Sequence, residues 1–272
     1  MHILHRIKWL TALKIGDKRK ISQVGAFAIS NLGFIPILKT GGICPFLYCQ
    51  GCPFAFLGCP IGVLQHFIVL GQISVFTLGT LGIYGTLMGR AFCGWACPFG
   101  AIHDLLSCLR GERKVKAPRY WFTKYIVLSL VVISAWITVD TFFCKVCPSG
   151  SLFAAIPFYV LYPNFQGFGV FFYIHILTLV ATVVLAYFVS RFWCRYLCPL
   201  GAINGLFNKV SVVNIHLNKE RCDGCKVCLK ACEMGIRRVD EIGRSTDCTL
   251  CGQCVEACPD KALSFTKFAV SK

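Results

Sequence analysis

Eight cysteines near the C-terminus carry the most specific chemistry in this chain. They read Cys222-x2-Cys225-x2-Cys228-x3-Cys232, then Cys248-x2-Cys251-x2-Cys254-x3-Cys258-Pro259. Four thiolates at these intervals wrap a cubane iron–sulfur cluster, and where two such runs follow one another the fourth cysteine of each ligates the other cluster. One 4Fe-4S cluster is therefore expected on Cys222, Cys225, Cys228 and Cys258, and a second on Cys248, Cys251, Cys254 and Cys232. Structural zinc also uses Cys-x2-Cys pairs. Its ribbons, however, use two such pairs, whereas here three thiols at two-residue gaps precede a fourth, twice over. Glu233 stands where proline commonly follows the fourth cysteine, which changes the local turn and leaves the ligand set intact.

A second set of cysteines lies in apolar surroundings and repeats. Arg90-Ala-Phe-Cys93-Gly-Trp-Ala-Cys97-Pro98-Phe-Gly100-Ala101-Ile102 matches Arg191-Phe-Trp-Cys194-Arg-Tyr-Leu-Cys198-Pro199-Leu-Gly201-Ala202-Ile203. Upstream, Cys49-Gln-Gly-Cys52-Pro53 pairs with Cys144-Lys-Val-Cys147-Pro148. Duplicated hairpins in a membrane commonly share a pseudo-twofold axis with sites at the repeat interface. Such an axis would bring Cys93 and Cys97 opposite Cys194 and Cys198 at the inner end, and Cys49 and Cys52 opposite Cys144 and Cys147 at the outer end. Soft thiolates select iron–sulfur clusters, zinc or Cu(I). Packing stays open as an alternative for the inner quartet, and disulfide chemistry for the outer one, which would meet an oxidising compartment. Cys44 and Cys59 each precede a proline without a counterpart in the second repeat, and Cys108 stands alone.

The elements that must hold these groups are membrane helices. Of 272 residues, 56% are hydrophobic and only 15% charged, with a mean hydropathy of +0.65; ordinary soluble domains carry about a quarter charged residues. Nineteen cysteines form an odd total that argues against a fully paired disulfide scaffold. Thr40 to Gly89 and Val146 to Ser190 contain no Lys, Arg, Asp or Glu. Spans are expected at about His66 to Met88 and Gly169 to Phe188, with shorter ones at Tyr125 to Val139 and Ile21 to Leu38. Lys and Arg concentrate before the first span (Arg6, Lys8, Lys14, Lys18, Arg19, Lys20) and between the second and third (Arg90, Arg110, Arg113, Lys114, Lys116, Arg119, Lys124). Both segments read as cytoplasmic, which puts both termini inside a multi-pass protein of the cell (inner, cytoplasmic) membrane, surrounded by lipid. The net charge of +16 is then mostly a topology signal and not a nucleic-acid footprint, because the basic residues flank apolar spans. No removable signal peptide is expected.

The fold class is thus an α-helical membrane protein, four transmembrane helices as two repeated hairpins, joined to a small α+β two-cluster ferredoxin domain. Its divisions are a basic cytoplasmic N-terminus (1–20), a four-span membrane domain (21–213) and a ferredoxin domain (214–272). The inner motifs, Phe92-Cys93-Gly-Trp-Ala-Cys97-Pro98-Phe-Gly100 and Trp193-Cys194-Arg-Tyr-Leu-Cys198-Pro199-Leu-Gly201, followed by two ferredoxin runs, resemble the four-span polyferredoxin-type membrane proteins typified by the quinol-dehydrogenase ferredoxin subunit of periplasmic nitrate reductase systems. The resemblance spans about Ile21 to Phe265. It implies electron transfer between a quinol pool or cytoplasmic donor and a redox partner across the membrane, as a component of an oxidoreductase and not a stand-alone catalyst. Two departures, the cysteine-rich Cys44 to Cys59 segment and the lack of a flavin-attachment domain before the spans, put the specific nitrate role in doubt.

Haem or quinone would need histidines within the spans; His66, His175 and His103 are the candidates, and a membrane histidine is as often a packing residue. Lys226, Lys230, Arg237 and Arg238 fit either a docking face for an acidic donor or a solvated surface. Two alternatives come from other classes: a copper-handling assembly factor using the outer cysteines as acceptors, and a redox-sensing regulator.

Overall fold

The computed structural model of the protein describes residues 14–34, 41–110, 120–163 and 169–266. Helix α1 runs Ile15–Ser30, α2 Pro60–Val69, α3 Val75–Met88, α4 Ala91–Trp95 and α5 Pro98–Arg110. The same series then returns as α6 Thr123–Thr138, α7 Pro148–Leu161, α8 Val170–Phe188, α9 Phe192–Tyr196 and α10 Pro199–Phe207. Proline opens α2, α5, α7 and α10, where its missing N–H is an orphan in any case and its fixed φ suits the first turn. Each of those prolines follows a cysteine, Cys59, Cys97, Cys147 or Cys198.

Packing repeats as the series does. Helix α1 lies on α5 as α6 lies on α10, and α8 lies on α5 as α3 lies on α10. The duplicated halves therefore interlock, each inner-end helix being flanked by one helix of its own half and one of the other.

The expected span from His66 to Met88 is broken. Gly71 in the left-handed region (φ +67°) ends α2, and Ser74 caps α3 by accepting a hydrogen bond from the Thr77 amide at 3.3 Å. Helix α3 has 14 residues and α6 has 16, or about 21–24 Å at 1.5 Å per residue, short of the ~30 Å hydrocarbon core. Among the described residues, Val170–Phe188 is the one helix long and apolar enough to cross a membrane by length and composition. Helix α1 starts at Ile15, ahead of the expected Ile21, and residues 35–38 of that expected span lie outside the described residues. So do Arg6, Lys8, Arg113, Lys114, Lys116 and Arg119, on which the orientation count partly rests.

Part of the positive charge has another explanation. Arg19, Arg90 and Lys124 are 6%, 0% and 0% exposed, so they are structural groups, and the surplus that reads as a topology signal is smaller by three.

After α10 the chain forms an antiparallel pair, β1 Asn214–Leu217 with β2 Leu263–Thr266, in register Asn214↔Thr266 to Leu217↔Leu263. Between them lie the two cysteine runs and the short helices α11 (Val227–Ala231) and α12 (Gln253–Glu256). In each run the residues flanking the second cysteine are left-handed, Gly224 and Lys226 around Cys225, Leu250 and Gly252 around Cys251. The same backbone path thus occurs twice with glycine on opposite sides.

Candidate iron–sulfur sites

The ferredoxin-type part contains two small cavities, each lined by four cysteines. Cys222, Cys225, Cys228 and Cys258 line one; Cys232, Cys248, Cys251 and Cys254 line the other. The fourth cysteine of each run therefore sits with the three of the other run. Short β-pairing and facing short helices bring this about: α11 packs on α12, which carries Cys254 next to the strand end. Burial pushes the Cys248 thiol up to about 12, so an apolar cavity of four thiols needs a cationic core to become a thiolate site. An all-sulfur donor set suits iron–sulfur chemistry.

At the inner ends of the two halves, Cys93, Cys97, Cys194 and Cys198 converge. Each is buried, and Cys97 lies within electrostatic range of the other three. Cys97 Sγ accepts from the Gly100 amide at 3.4 Å, and Cys198 Sγ from the Gly201 amide at 3.2 Å. The arginines that open the two motifs cross the axis. Arg90 donates to the Cys194 carbonyl oxygen and, at 2.9 Å, to that of Thr246; Arg191 donates to the Cys93 carbonyl oxygen at 3.3 Å. Each half thereby braces the other's cysteine turn. Gly201 is required here because a Cβ would stand 2.6 Å from the Arg90 guanidinium.

The symmetry fails at one position, and the failure is informative. Asp104 corresponds to Gly205, whose Cβ would lie 2.4 Å from the Thr246 carbonyl oxygen. Asp104 instead receives Arg191 in a two-pronged pair, 2.7 Å on both oxygens, and Arg19 at 2.9 Å. Glu233 joins at 3.4 Å from Arg191, and its other oxygen accepts from Gln253 at 2.8 Å. Burial alone would raise Asp104, but the two guanidiniums outweigh it and hold the carboxyl at about 2. Glu233 moves the other way, upward, through burial and the charge of Asp104. The residue that replaces the usual proline after Cys232 thus ties that turn to the Arg191 motif of the helical part.

The loop 245–251 completes this joint. Trp95 Nε1 donates to the Leu250 carbonyl at 2.9 Å, and Asn208 Nδ2 donates to those of Ser245 and Cys248 at 2.8 and 2.6 Å. Lys124 Nζ pairs with Asp247 at 2.6 Å. Gly94, inside the Cys93–Cys97 turn, sits so close that a Cβ would be 2.4 Å from the Thr249 carbonyl oxygen and 3.5 Å from Cys251 Cα. Gly94→Ala is accordingly expected to cost about 1–3 kcal/mol, the usual range for overpacking, read as a lowered melting temperature of the detergent-solubilised protein. Had the two parts touched only through flexible side chains, the melt would not move.

The outer cysteines assemble differently from expectation. Cys49, Cys59, Cys144 and Cys147 line one small cavity; Cys52 is not among them. The loop before α2 closes on itself through a bridge from Ile43 to Gly58, with Gly58 N–H donating to Gly42 at 2.7 Å and Cys44 N–H to Gly58 at 3.0 Å. That closure carries Cys59 back toward Cys49. Cys52 is turned toward the end of α1, where its sulfur receives the Tyr48 hydroxyl at 3.6 Å. The helix-opening Cys-Pro marks the equivalence, Cys59-Pro60 at α2 for Cys147-Pro148 at α7. Cys52-Pro53 matches the two-residue gap of Cys144 and Cys147 in sequence, but it opens no helix. Cys44 is buried and donates to the Phe46 and Gly58 carbonyl oxygens, and Cys108 is exposed.

Of the histidines, His175 Nε2 is hydrogen-bonded to the Cys144 carbonyl at 2.7 Å, and His66 is exposed on α2. His103 is buried edge-on against Phe99, with centroids 5.0 Å apart, and burial beside Arg191 lowers it to about 4. Arg238 pairs with Asp240 and Glu241 at the surface.

Known families match two parts of the chain. A family model described as a 4Fe-4S binding domain matches residues 70–116 and again 171–218, the two inner motifs with their flanking helices. A second 4Fe-4S binding domain model matches 244–264. The chain is 29% identical to an uncharacterized protein of Methanocaldococcus jannaschii, over 78% of this chain and 87% of that one. It is 30% identical to the putative electron transport protein YccM of Escherichia coli, over 72% of this chain and 58% of that one. With the ferredoxin-type protein NapH of Haemophilus influenzae it shares 26%, over 67% of this chain and 64% of that one. No solved structure matches.

Proposed function

Given that the chain is a relative of ferredoxin-type electron-transport proteins with 4Fe-4S binding domains, we propose that it is a multi-pass membrane protein that moves single electrons between its ferredoxin clusters and the membrane. The two clusters are held by Cys222, Cys225, Cys228 and Cys258, and by Cys248, Cys251, Cys254 and Cys232. A third site lies on Cys93, Cys97, Cys194 and Cys198. The observation that carries this reading is the joint between them: the Gly94 turn of the inner quartet rests on Thr249 and Cys251 of the second cluster loop, so the sites form a row without an intervening layer of protein.

The membrane reading is supported by Val170–Phe188 and by the apolar side chains that α3, α6 and α8 expose, among them Phe76, Ile83, Trp136, Ile137, Tyr173 and Leu177. An apolar patch of that extent needs a lipid or protein partner. The turn between α2 and α3, residues 70–73, is exposed, so in this reading it lies at the membrane surface and not within the hydrocarbon core. In this reading both termini face the cytoplasm, the domain divisions are 1–20, 21–213 and 214–272, and a soluble redox protein meets the ferredoxin part.

Quinol is assigned to the cavity lined by Gln23, Phe27, Asn31, Pro98, Ile102 and Phe153. Its walls are apolar, as a quinone ring requires. Gln23 Nε2 is bonded to the Gly94 carbonyl at 3.0 Å and to Asp104 at 3.1 Å, so the cavity abuts the inner quartet. Iron–sulfur clusters, when bound, supply the one-electron chemistry, and the chain supplies their burial, N–H donors and spacing.

The test is anaerobic reduction of the purified protein by a soluble quinol, followed by iron–sulfur absorbance. Bleaching in the wild type and its loss in Phe153→Trp, which fills the cavity, are the expected results. Bleaching by a reduced soluble ferredoxin but by no quinol would move the electron entry to the cytoplasmic side and remove the quinol assignment.

A further inference from the structure

The outer cavity shares with the two ferredoxin cavities a lining of four cysteines in otherwise mostly apolar surroundings. Two of its four cysteines come from each half of the repeat. One of the four sulfurs, Cys144 Sγ, receives a side-chain N–H, from Gln65, and an N–H donor on a ligand sulfur stabilises a thiolate and its added charge on reduction.

Gln65 is the most specific group at this site. It is 0% exposed, its Nε2 lies 3.4 Å from Cys144 Sγ, and its Oε1 accepts from the Phe143 amide at 3.3 Å, which fixes which end of the amide faces the sulfur. Gly62 borders the same sulfur, since a Cβ there would come 3.5 Å from Cys144 Sγ. His175 holds the same cysteine from behind through its carbonyl.

We propose that Cys49, Cys59, Cys144 and Cys147 bind a further 4Fe-4S cluster at the outer end of the helix repeat. The site stands on its own ligand geometry and goes beyond the ferredoxin and inner sites. It adjoins the inner quartet: Leu47 lines the outer cavity while its carbonyl oxygen lies 4.0 Å from Cys97 Sγ. The row of sites would then extend from the ferredoxin part to the opposite end of the helices.

The experiment is iron and acid-labile sulfide analysis with electron paramagnetic resonance on the full-length protein, purified anaerobically in detergent. Cys59→Ser and Cys147→Ser should each lower iron by about four per chain, while Cys52→Ser should not, and the signals of the C-terminal clusters should persist in all three. That persistence separates failure of this site from failure of the ferredoxin sites. Gln65→Leu keeps all ligands and removes one N–H···S bond; it should lower one midpoint potential and leave iron content unchanged. Full iron in Cys59→Ser would overturn the proposal. So would Cys49–Cys59 or Cys144–Cys147 recovered as disulfides from the wild type, or unchanged potentials in Gln65→Leu.

Discussion

Replacing Asp104 by alanine is expected to destabilise the protein by about 3–5 kcal/mol, the range for breaking a buried ion pair by removing one partner. Arg191 is 0% exposed and spends two of its nitrogens on Asp104; Arg19 is 6% exposed and uses the same carboxylate. Without Asp104, two buried guanidiniums face Glu233 alone. The Lys145–Asp140 pair offers the contrast, since its members are 35% and 41% exposed and water screens them. Its loss should be nearly silent. Chemical unfolding of the two variants in detergent makes the comparison, and equal effects would show that the inner charge cluster does not hold the ferredoxin part in place. The folded carboxyl of Asp104 is depressed to about 2. Its contribution is therefore complete above the ordinary carboxylate range, at about pH 4, and disappears only as the pH falls through about 2.

The second large effect separates two wirings of the C-terminal cysteines. If each linear run held its own cluster, Cys222 and Cys232 would belong together. The cavities place Cys232 with Cys248 and Cys258 with Cys222. Cys232→Ser and Cys248→Ser should each remove about four irons, and the double variant should remove no more than either alone. Cys232→Ser with Cys222→Ser should remove about eight. The opposite pattern of additivity would assign the clusters by run. Serine at Cys258 carries the same test from the other side.

Much of this was legible in the cysteines because metal ligation is a matter of spacing along a turn, and spacing is written in the chain. The spacing predicts an exchange of the fourth cysteines between runs, and the fold brings Cys258 to Cys222 and Cys232 to Cys248. The interlocked halves were foreshadowed by the Arg-x-aromatic-Cys repeat, although nothing in that string says that Arg90 braces Cys194 while Arg191 braces Cys93. The outer quartet was misread through a local cue. Cys49 and Cys52 match the two-residue gap of Cys144 and Cys147, yet the Ile43–Gly58 bridge brings Cys59, ten residues away along the chain, into the place of the nearer thiol.

Charge was the other source of error. Arg19, Arg90 and Lys124 count toward cytoplasmic loops in the sequence, yet Arg90 and Lys124 are buried against Thr246 and Asp247 of the ferredoxin part and Arg19 against Asp104 of its own half. A positive-inside count sees residue type and position, whereas burial depends on which partner the fold delivers. Glu233 shows the same limit. By itself the chain determined the cysteine spacing, the duplication and the apolar character of the helices, all of which follow from local period and composition. Only the tertiary structure decided which cysteines share a cavity, which charges neutralise one another, and that the second cluster loop rests on the inner quartet, because those pairings join segments far apart in sequence that no local pattern relates.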